Sequence, residues 1–383
     1  MKNTIHWLGA GLSSAPGIKA LASKSTPLIV WNRSLEKAKK NLLGSDIDIR
    51  QLDWSVLNHT VKSGDVIVSM LPATKHVEIA ELCLKLKAHF VSSSYIAPEM
   101  QALNSRAKIA DLCFVNEVGL DPGIDHLLAH LLVDKYRKSA VYCATNEHFF
   151  RSYCGGFPKI VNDFRYKFSW SPLGVLKALR SKAQWQEQGQ VKTSNAPWEA
   201  LSRYEAQLTD QTEIFQAYPN RDSLPFMKQY HFDSDWNVQQ FVRGTLRLDG
   251  WSTAWQPLFD EIAQLSGDEG EQCLQDLSEQ LEAKYSYAEG EADRVVMCVE
   301  LEIRSDDEVI WHQSYHLDSR GDERGQAMAR LVSLPVCLAI ESVLNKEISP
   351  GVTAAPDQAA QINLWLKSLN KQGEKITFKD HLA

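Results

Sequence analysis

A chain of 383 residues exceeds one comfortable hydrophobic core, so two or three domains are expected. Hydrophobic residues at 44% and charged residues at 23% exclude an extensively disordered chain. A formal net charge of -7 gives no general attraction to phosphate backbones or anionic lipid, so no nucleic-acid partner is expected.

In chain order, "TIHWLGAG", "PLIVWNR", "DVIVSML" and "HFVSSSY" read as strands, with helices in "APGIKALAS", "LEKAKKNL" and "HVEIAELCLKLK" between them. This alternation predicts a parallel sheet wound with helices, a Rossmann-type α/β domain over residues 1–122. Ile124, Leu127, Leu128, Leu131 and Leu132 then recur at helical spacing, with Asp121 as N-cap and Pro122 in the first turn. His126 and His130 fall opposite that apolar stripe. A second helix is expected after Ser171 and Pro172, opening a small helical insertion over residues 171–211. "EIFQAYPN" and "QQFVRGTLRL" turn β-like, and "DRVVMCVELEIRS" with "EVIWHQSYHLD" reads as a hairpin, which gives a second α/β domain with a mixed sheet over residues 123–329. The segment 330–383 is helical again and is expected to pack back on the first domain. No apolar run reaches the roughly 18 residues that cross a membrane, and "MKNTIHWLGAGLSS" lacks a signal-peptide core. The seven cysteines stand singly without a CxxC pair, so reduced thiols and a cytoplasmic location are expected, with neither membrane nor metal.

The chemistry starts at the glycine turn. Gly9 and Gly11 follow a strand and precede a helix, where a dinucleotide fold needs one glycine for the tight turn and another for backbone approach to the pyrophosphate. Gly9, Gly11, Leu12 and Ser13 are the cofactor candidates there, and Ser14 replaces the third glycine. At the end of the second strand, where a carboxylate would receive the ribose of NAD, stand Asn32 and Arg33. A guanidinium pairs with a 2′-phosphate where a carboxylate repels it, so NADP is expected, unless Arg33 is an ordinary surface charge. Ser69, Leu71, Pro72, Ser93 and Ser94 end later strands and are expected to line the cofactor crevice rather than perform chemistry. Asp121 and Asp125 share one side of the new helix's first turn, and either a cap or a proton acceptor explains Asp121.

The blocks "SSYIAPEM", "NEVGLDPGIDHL", "SYCGGFP", "YKFSWSPLGVLKALR", "AYPNRDS" and "RGTLR" resemble, in order, those of saccharopine reductase, the NADP-dependent, L-glutamate-forming saccharopine dehydrogenase. The likeness runs from Gly9 to about "SPGVTAAP". It implies a Rossmann domain, a second α/β domain for the substrate, and a small helical insertion. The implied reaction joins L-glutamate to 2-aminoadipate 6-semialdehyde and reduces the imine with NADPH, giving saccharopine in lysine metabolism through aminoadipate. The resemblance places Tyr95, Asp121 and Cys154 around the reacting centre as proton-handling residues, with Gly155 and Gly156 beside a substrate carboxylate. A substrate with several carboxylates needs fixed cations, and Arg221 and Arg243 match the family blocks. Arg243, Thr245 and Arg247 share one face of a strand, so Arg247 is a third ligand or part of a solvated face. "FMKQYHFDSDWNVQQ" departs from the family pattern, which leaves the exact amine and aldehyde open. A related imine-reducing synthase or a non-catalytic NADP(H)-binding regulator are the other readings, and a homodimer is left open.

Overall fold

The computed structural model describes residues 3–44 and 46–383 and divides them into two compact units. Unit 1 takes the residues up to Leu127 with Glu323–Gly325 and Ala329–Pro356; unit 2 takes Leu128–Asp322, Gln326–Met328 and Asp357–Ala383. In chain order the strands are β1 (Ile5–Leu8), β2 (Leu28–Asn32), β3 (Asp48–Gln51), β4 (Val66–Ser69), β5 (His89–Val91) and β6 (Cys113–Val115). There follow β7 (Glu147–Pro158), β8 (Ala183–Glu187), β9 (Gln190–Ser194), β10 (Ser202–Gln207), β11 (Thr212–Pro219), β12 (Asn237–Leu248), β13 (Asp293–Ser305) and β14 (Glu308–Arg320). The last two are β15 (Gly351–Thr353) and β16 (Ile376–Asp380).

Unit 1 holds a wholly parallel sheet in the order β15-β6-β5-β4-β1-β2-β3. The order reverses between β1 and β4, which makes their carboxyl ends the switch point where such sheets bind ligands. Both strands are buried at every position, as central parallel strands covered on two faces require. Their polar intruder His6 is met by Asp65 at 3.1 Å and by the Trp31 indole at 3.3 Å. Trp31, Ile67, Ile79, Phe90 and Phe114 anchor the core, and burying each such apolar side chain contributes about 1.5–3 kcal/mol before ordering costs.

Unit 2 holds a mixed sheet in the order β10-β11-β12-β7-β13-β14-β16, with β8 on β12 and β9 on β8. β7 runs parallel to β12 and antiparallel to β13. The β13–β14 hairpin turns through Asp306 and Asp307, both at positive φ, the turn whose twist suits two long strands. One face packs Tyr153, Phe157, Val242, Leu246 and Val296. Helices Pro172–Leu179, Trp251–Gln264 and Gly267–Tyr285 gather Trp251, Trp255, Phe259 and Leu274 with Tyr166, Phe168 and Tyr218 in a second core.

Four expectations need correction. Residues 171–211 are not a helical insertion: after Pro172–Leu179 the chain forms the β8–β9 hairpin and β10. Gln188 and Gly189 both take left-handed φ and make the two-residue turn of that hairpin. The tail divides, with Ala329–Pro356 in unit 1 and Asp357–Ala383 in unit 2, because β15 pairs β6 and β16 pairs β14. Helix Ile124–Arg137 starts after Asp121, and His126 and His130 are buried rather than on an open face, since the helix is buried on all sides from Ile124 to Val133. Finally, helix Ala327–Leu344 is long and apolar enough to cross a membrane by length and composition, and 78% of it is buried inside the protein, as in a core helix.

Candidate active site

At the glycine turn Gly9 adopts φ +95°, and a Cβ there would come within 3.0 Å of the Met70 carbonyl. Only glycine fits both the conformation and the approach of β4. Around Gly11 nothing lies within 4 Å of an added Cβ, so the turn leaves open space before helix Ala15–Ala22. Ser14, in the place of a third glycine, donates its hydroxyl to the Gly9 carbonyl at 3.0 Å and closes the turn. The close helix packing that a third glycine provides falls instead to Gly17, whose added Cβ would meet Ser333 at 2.7 Å. Asn32 accepts from Ala10 N at 3.0 Å and donates to the Ser34 carbonyl at 2.7 Å, so its amide ties the glycine turn to the loop that follows β2. Arg33, next along, is exposed. An open glycine turn at the switch point, followed by a free-standing cation where an acid would select NAD, fits a phosphorylated dinucleotide.

Beyond β4 and β5 the serines converge on a residue that sequence reading passed over. His76 is buried, with Nδ1 2.9 Å from Ser69 Oγ and Nε2 2.8 Å from Ser94 Oγ and 3.2 Å from Ser92 Oγ. Burial pushes its pKa down to about 4, so at neutral pH it is an uncharged imidazole that orders three hydroxyls. Leu71 touches the Gly9 turn, Pro72 opens the short turn Ala73–Lys75, and Ser93 Oγ reaches Met70 Sδ at 3.7 Å.

Tyr95 donates its hydroxyl to Asp121 Oδ1 at 3.1 Å, joining the ends of two loops 26 residues apart. The Gly123 N–H, just ahead of helix Ile124–Arg137, is taken by Asp125 Oδ1 at 2.7 Å. Beneath the pair, Glu117 accepts from Ile96 N at 2.9 Å, and His126 stands 3.1 Å from Glu117 and 3.4 Å from Asp125. An imidazole buried between two carboxylates is a fixed electrostatic unit, and neither Glu117 nor His126 was picked out from sequence for this role. The left-handed φ of Glu117 marks the strained bend that presents the loop.

In unit 2, Cys154 lies inside β7 opposite Thr245 of β12 and Met297 of β13, nearly buried, and not in a turn. A Cβ on Gly155 would strike the Leu246 carbonyl at 2.4 Å, so Gly155 serves the approach of β7 to β12. Gly156 faces Met328 and Ser169. Arg243 and Arg247 are both buried on one face of β12, as strand alternation requires. The Arg243 guanidinium lies 3.9 Å from the Phe226 ring centre, and its backbone N–H is held by Ser223 at 3.0 Å. Arg221 stands on an exposed left-handed turn whose carbonyl accepts from Gln184 N at 2.7 Å, and the preceding Asn220 N–H donates to the Arg243 carbonyl at 2.8 Å. No cluster of three or more metal-ligating side chains occurs among the described residues.

Comparison with known proteins matches residues 5–115 to the saccharopine dehydrogenase NADP binding domain and residues 119–374 to the saccharopine dehydrogenase C-terminal domain. The NADP(+), L-glutamate-forming saccharopine dehydrogenase of Pyricularia oryzae is 29% identical over 96% of this chain and 97% of its own. The enzyme of the same name from Saccharomyces cerevisiae is 32% identical over 68% of this chain and 58% of its own. The apo structure of the L-Glu forming saccharopine dehydrogenase from Saccharomyces cerevisiae superposes with a TM-score of 0.80 at 26% identity, covering 99% of both chains.

Proposed function

The chain belongs to the saccharopine dehydrogenase family, and from that premise we propose that it is an NADP-dependent, L-glutamate-forming saccharopine dehydrogenase. It would convert saccharopine, NADP+ and water to L-glutamate, 2-aminoadipate 6-semialdehyde and NADPH, and run the reverse condensation, on the aminoadipate route of lysine metabolism. The observation that carries the reading is the Tyr95–Asp121 contact, a hydrogen-bonded acid–base pair in the unit that also holds the nucleotide turn. Imine hydrolysis needs a base to take a proton from water, and carbinolamine dehydration needs a donor. Asp121, oriented by the Tyr95 hydroxyl, is suited to the first task and Tyr95 to the second; Cys154 is carried as a third proton-handling residue.

The cofactor, when bound, supplies or accepts the hydride. Gly9, Gly11, Leu12 and Ser13 would hold its pyrophosphate and Arg33 its 2′-phosphate, with the hydroxyls of Ser69 and Ser94 fixed by His76 beyond them. Arg221, Arg243 and Arg247 supply cations for a substrate that carries several carboxylates. They would repel a polyamine, which disfavours that kind of relative. A cytoplasmic location accords with seven free thiols, and a homodimer is the assembly to be checked by sedimentation.

The test is direct. Purified protein mixed with saccharopine and NADP+ is followed by the near-ultraviolet absorbance of reduced cofactor, with NAD+ as the control. Turnover of saccharopine with a preference for NADP+ supports the proposal; turnover of another secondary amine and none of saccharopine overturns it.

A further inference from the structure

Arg247 differs from two other arginines in the unit 2 sheet. Arg151 reaches Glu300 at 2.6 Å and Glu302 at 2.9 Å, and Arg294 reaches Asp318 at 2.7 Å and Glu213 at 2.8 Å. Arg247 is only 6% exposed, yet no carboxylate pairs with it among the described residues. Its guanidinium lies 4.9 Å from the ring centre of Tyr166, 5.4 Å from Trp251 and 5.5 Å from Tyr218. One terminal N–H donates to the Leu246 carbonyl at 3.2 Å, and the group also reaches the Tyr218 hydroxyl. Its Nε–H has no hydrogen-bond partner among the described residues.

Two other buried donors on neighbouring residues are also unmatched among the described residues, the Trp251 indole N–H and the Ser169 hydroxyl. Ser169 Oγ lies 3.5 Å from where a Cβ on Gly156 would stand. Two residues beyond the Thr245–Cys154 pair on each strand come Arg247 and Gly156, which places serine and arginine on the same sheet face. A buried cation without a counter-ion costs several kcal/mol, and ring faces return only part of that. The cage holds donors in excess and one fixed positive charge.

We propose that this cage is a subsite for a single carboxylate carried on a methylene chain, the side-chain carboxylate of the glutamate half of the substrate. The inference rests on the function proposed above. A phosphate dianion would call for a second fixed cation, and an ammonium would need an acid. The one charged side chain that acts on both Tyr166 and Tyr218 is Arg247. The aromatic walls suit methylenes, and the three donors suit one carboxylate.

The test compares L-glutamate with L-glutamine in the condensation direction, in wild type and in Arg247→Met, Trp251→Phe and Ser169→Ala. Wild type is expected to favour glutamate. Arg247→Met should raise the KM for glutamate roughly ten- to hundredfold, the weight of a charge-assisted hydrogen bond, while the KM for glutamine changes little. Trp251→Phe and Ser169→Ala, which remove one donor each, should raise it severalfold and decide the matter if the arginine variant does not fold. Equal losses for both amines, or an unchanged glutamate KM in the folded variants, overturn the subsite while leaving turnover of saccharopine intact. Absence of saccharopine turnover in wild type overturns the underlying function instead.

Discussion

Replacing Arg151 by methionine isolates the most heavily charged part of the unit 2 sheet. Its Nε donates to Glu300 Oε1 at 2.6 Å, one terminal nitrogen to Glu302 Oε2 at 2.9 Å and the other to Gln240 at 2.9 Å. Burial pushes the Glu300 carboxyl up, but the charge and hydrogen bond of Arg151, with a hydrogen bond from His312 at 3.2 Å, outweigh it and hold the group at about 2. The gap from the ordinary 4.5 is worth about 3 kcal/mol. Because the folded value is the lower one, this stabilisation is present in full above about pH 4.5 and is lost as pH falls toward about 2. Without Arg151 burial dominates, the carboxyl rises above its ordinary value, and the sign reverses, so that protonation now favours the fold. Glu302 keeps Arg304 at 2.6 Å, so the loss falls on Glu300, left with His312 at 3.2 Å and the Tyr204 hydroxyl at 3.2 Å, and is expected to cost about 3 kcal/mol at pH 7. Urea titrations of both proteins at pH 7 and pH 4 measure this, and the deficit of the variant should shrink at the lower pH. A loss under about 1 kcal/mol at neutral pH, or a deficit that does not depend on pH, would refute the reasoning.

Other changes test the site. Arg33→Asp should weaken NADP(H) binding roughly ten- to hundredfold and shift preference toward NAD(H), because a charge-assisted phosphate contact becomes a repulsion; equilibrium titration with both cofactors decides it. Asp121→Asn should lower kcat by about 10²–10⁴ with NADP(H) affinity retained, and Tyr95→Phe should act in the same direction; rates near wild type in both variants would remove the pair from proton transfer. Gly17→Ala drives a methyl group to 2.7 Å from Ser333 and should cost about 1–3 kcal/mol of stability, read in the same denaturation assay; an unchanged midpoint would contradict the close approach.

What sequence revealed and what it hid follow from how far apart the interacting residues lie. β13 and β14 were legible because β13 is rich in valine and isoleucine, β14 carries Val309, Ile310, Trp311 and Tyr315, and a tight turn joins them. β7 was passed over as a strand. Its "RSYCGG" core mixes a cation, a thiol and two glycines, and the carboxylates that make Arg151 tolerable lie 149 and 151 residues away. The helices Trp251–Gln264 and Gly267–Tyr285 were missed as well; the first carries Pro257 in its interior and the second is richly charged. In the site, the glycine turn, Tyr95 and Asp121 announced themselves through local chemistry and family likeness. His76 did not, because a single histidine opening an amphipathic helix looks unremarkable until Ser69, Ser92 and Ser94 are brought around it by the ends of two strands, β4 and β5. Glu117 and His126 were hidden for the same reason: a loop bend brings together groups nine residues apart.

The parallel sheet of unit 1 is finished by β15, more than two hundred residues downstream of β6. A ribosome making this chain therefore holds the nucleotide-binding layer one strand short until Gly351–Thr353 has emerged. Until then β6 offers a bare row of amide and carbonyl groups to whatever is near. Release of the finished chain closes that row, and a messenger truncated ahead of Gly351 would yield a product whose first sheet never acquires its own border.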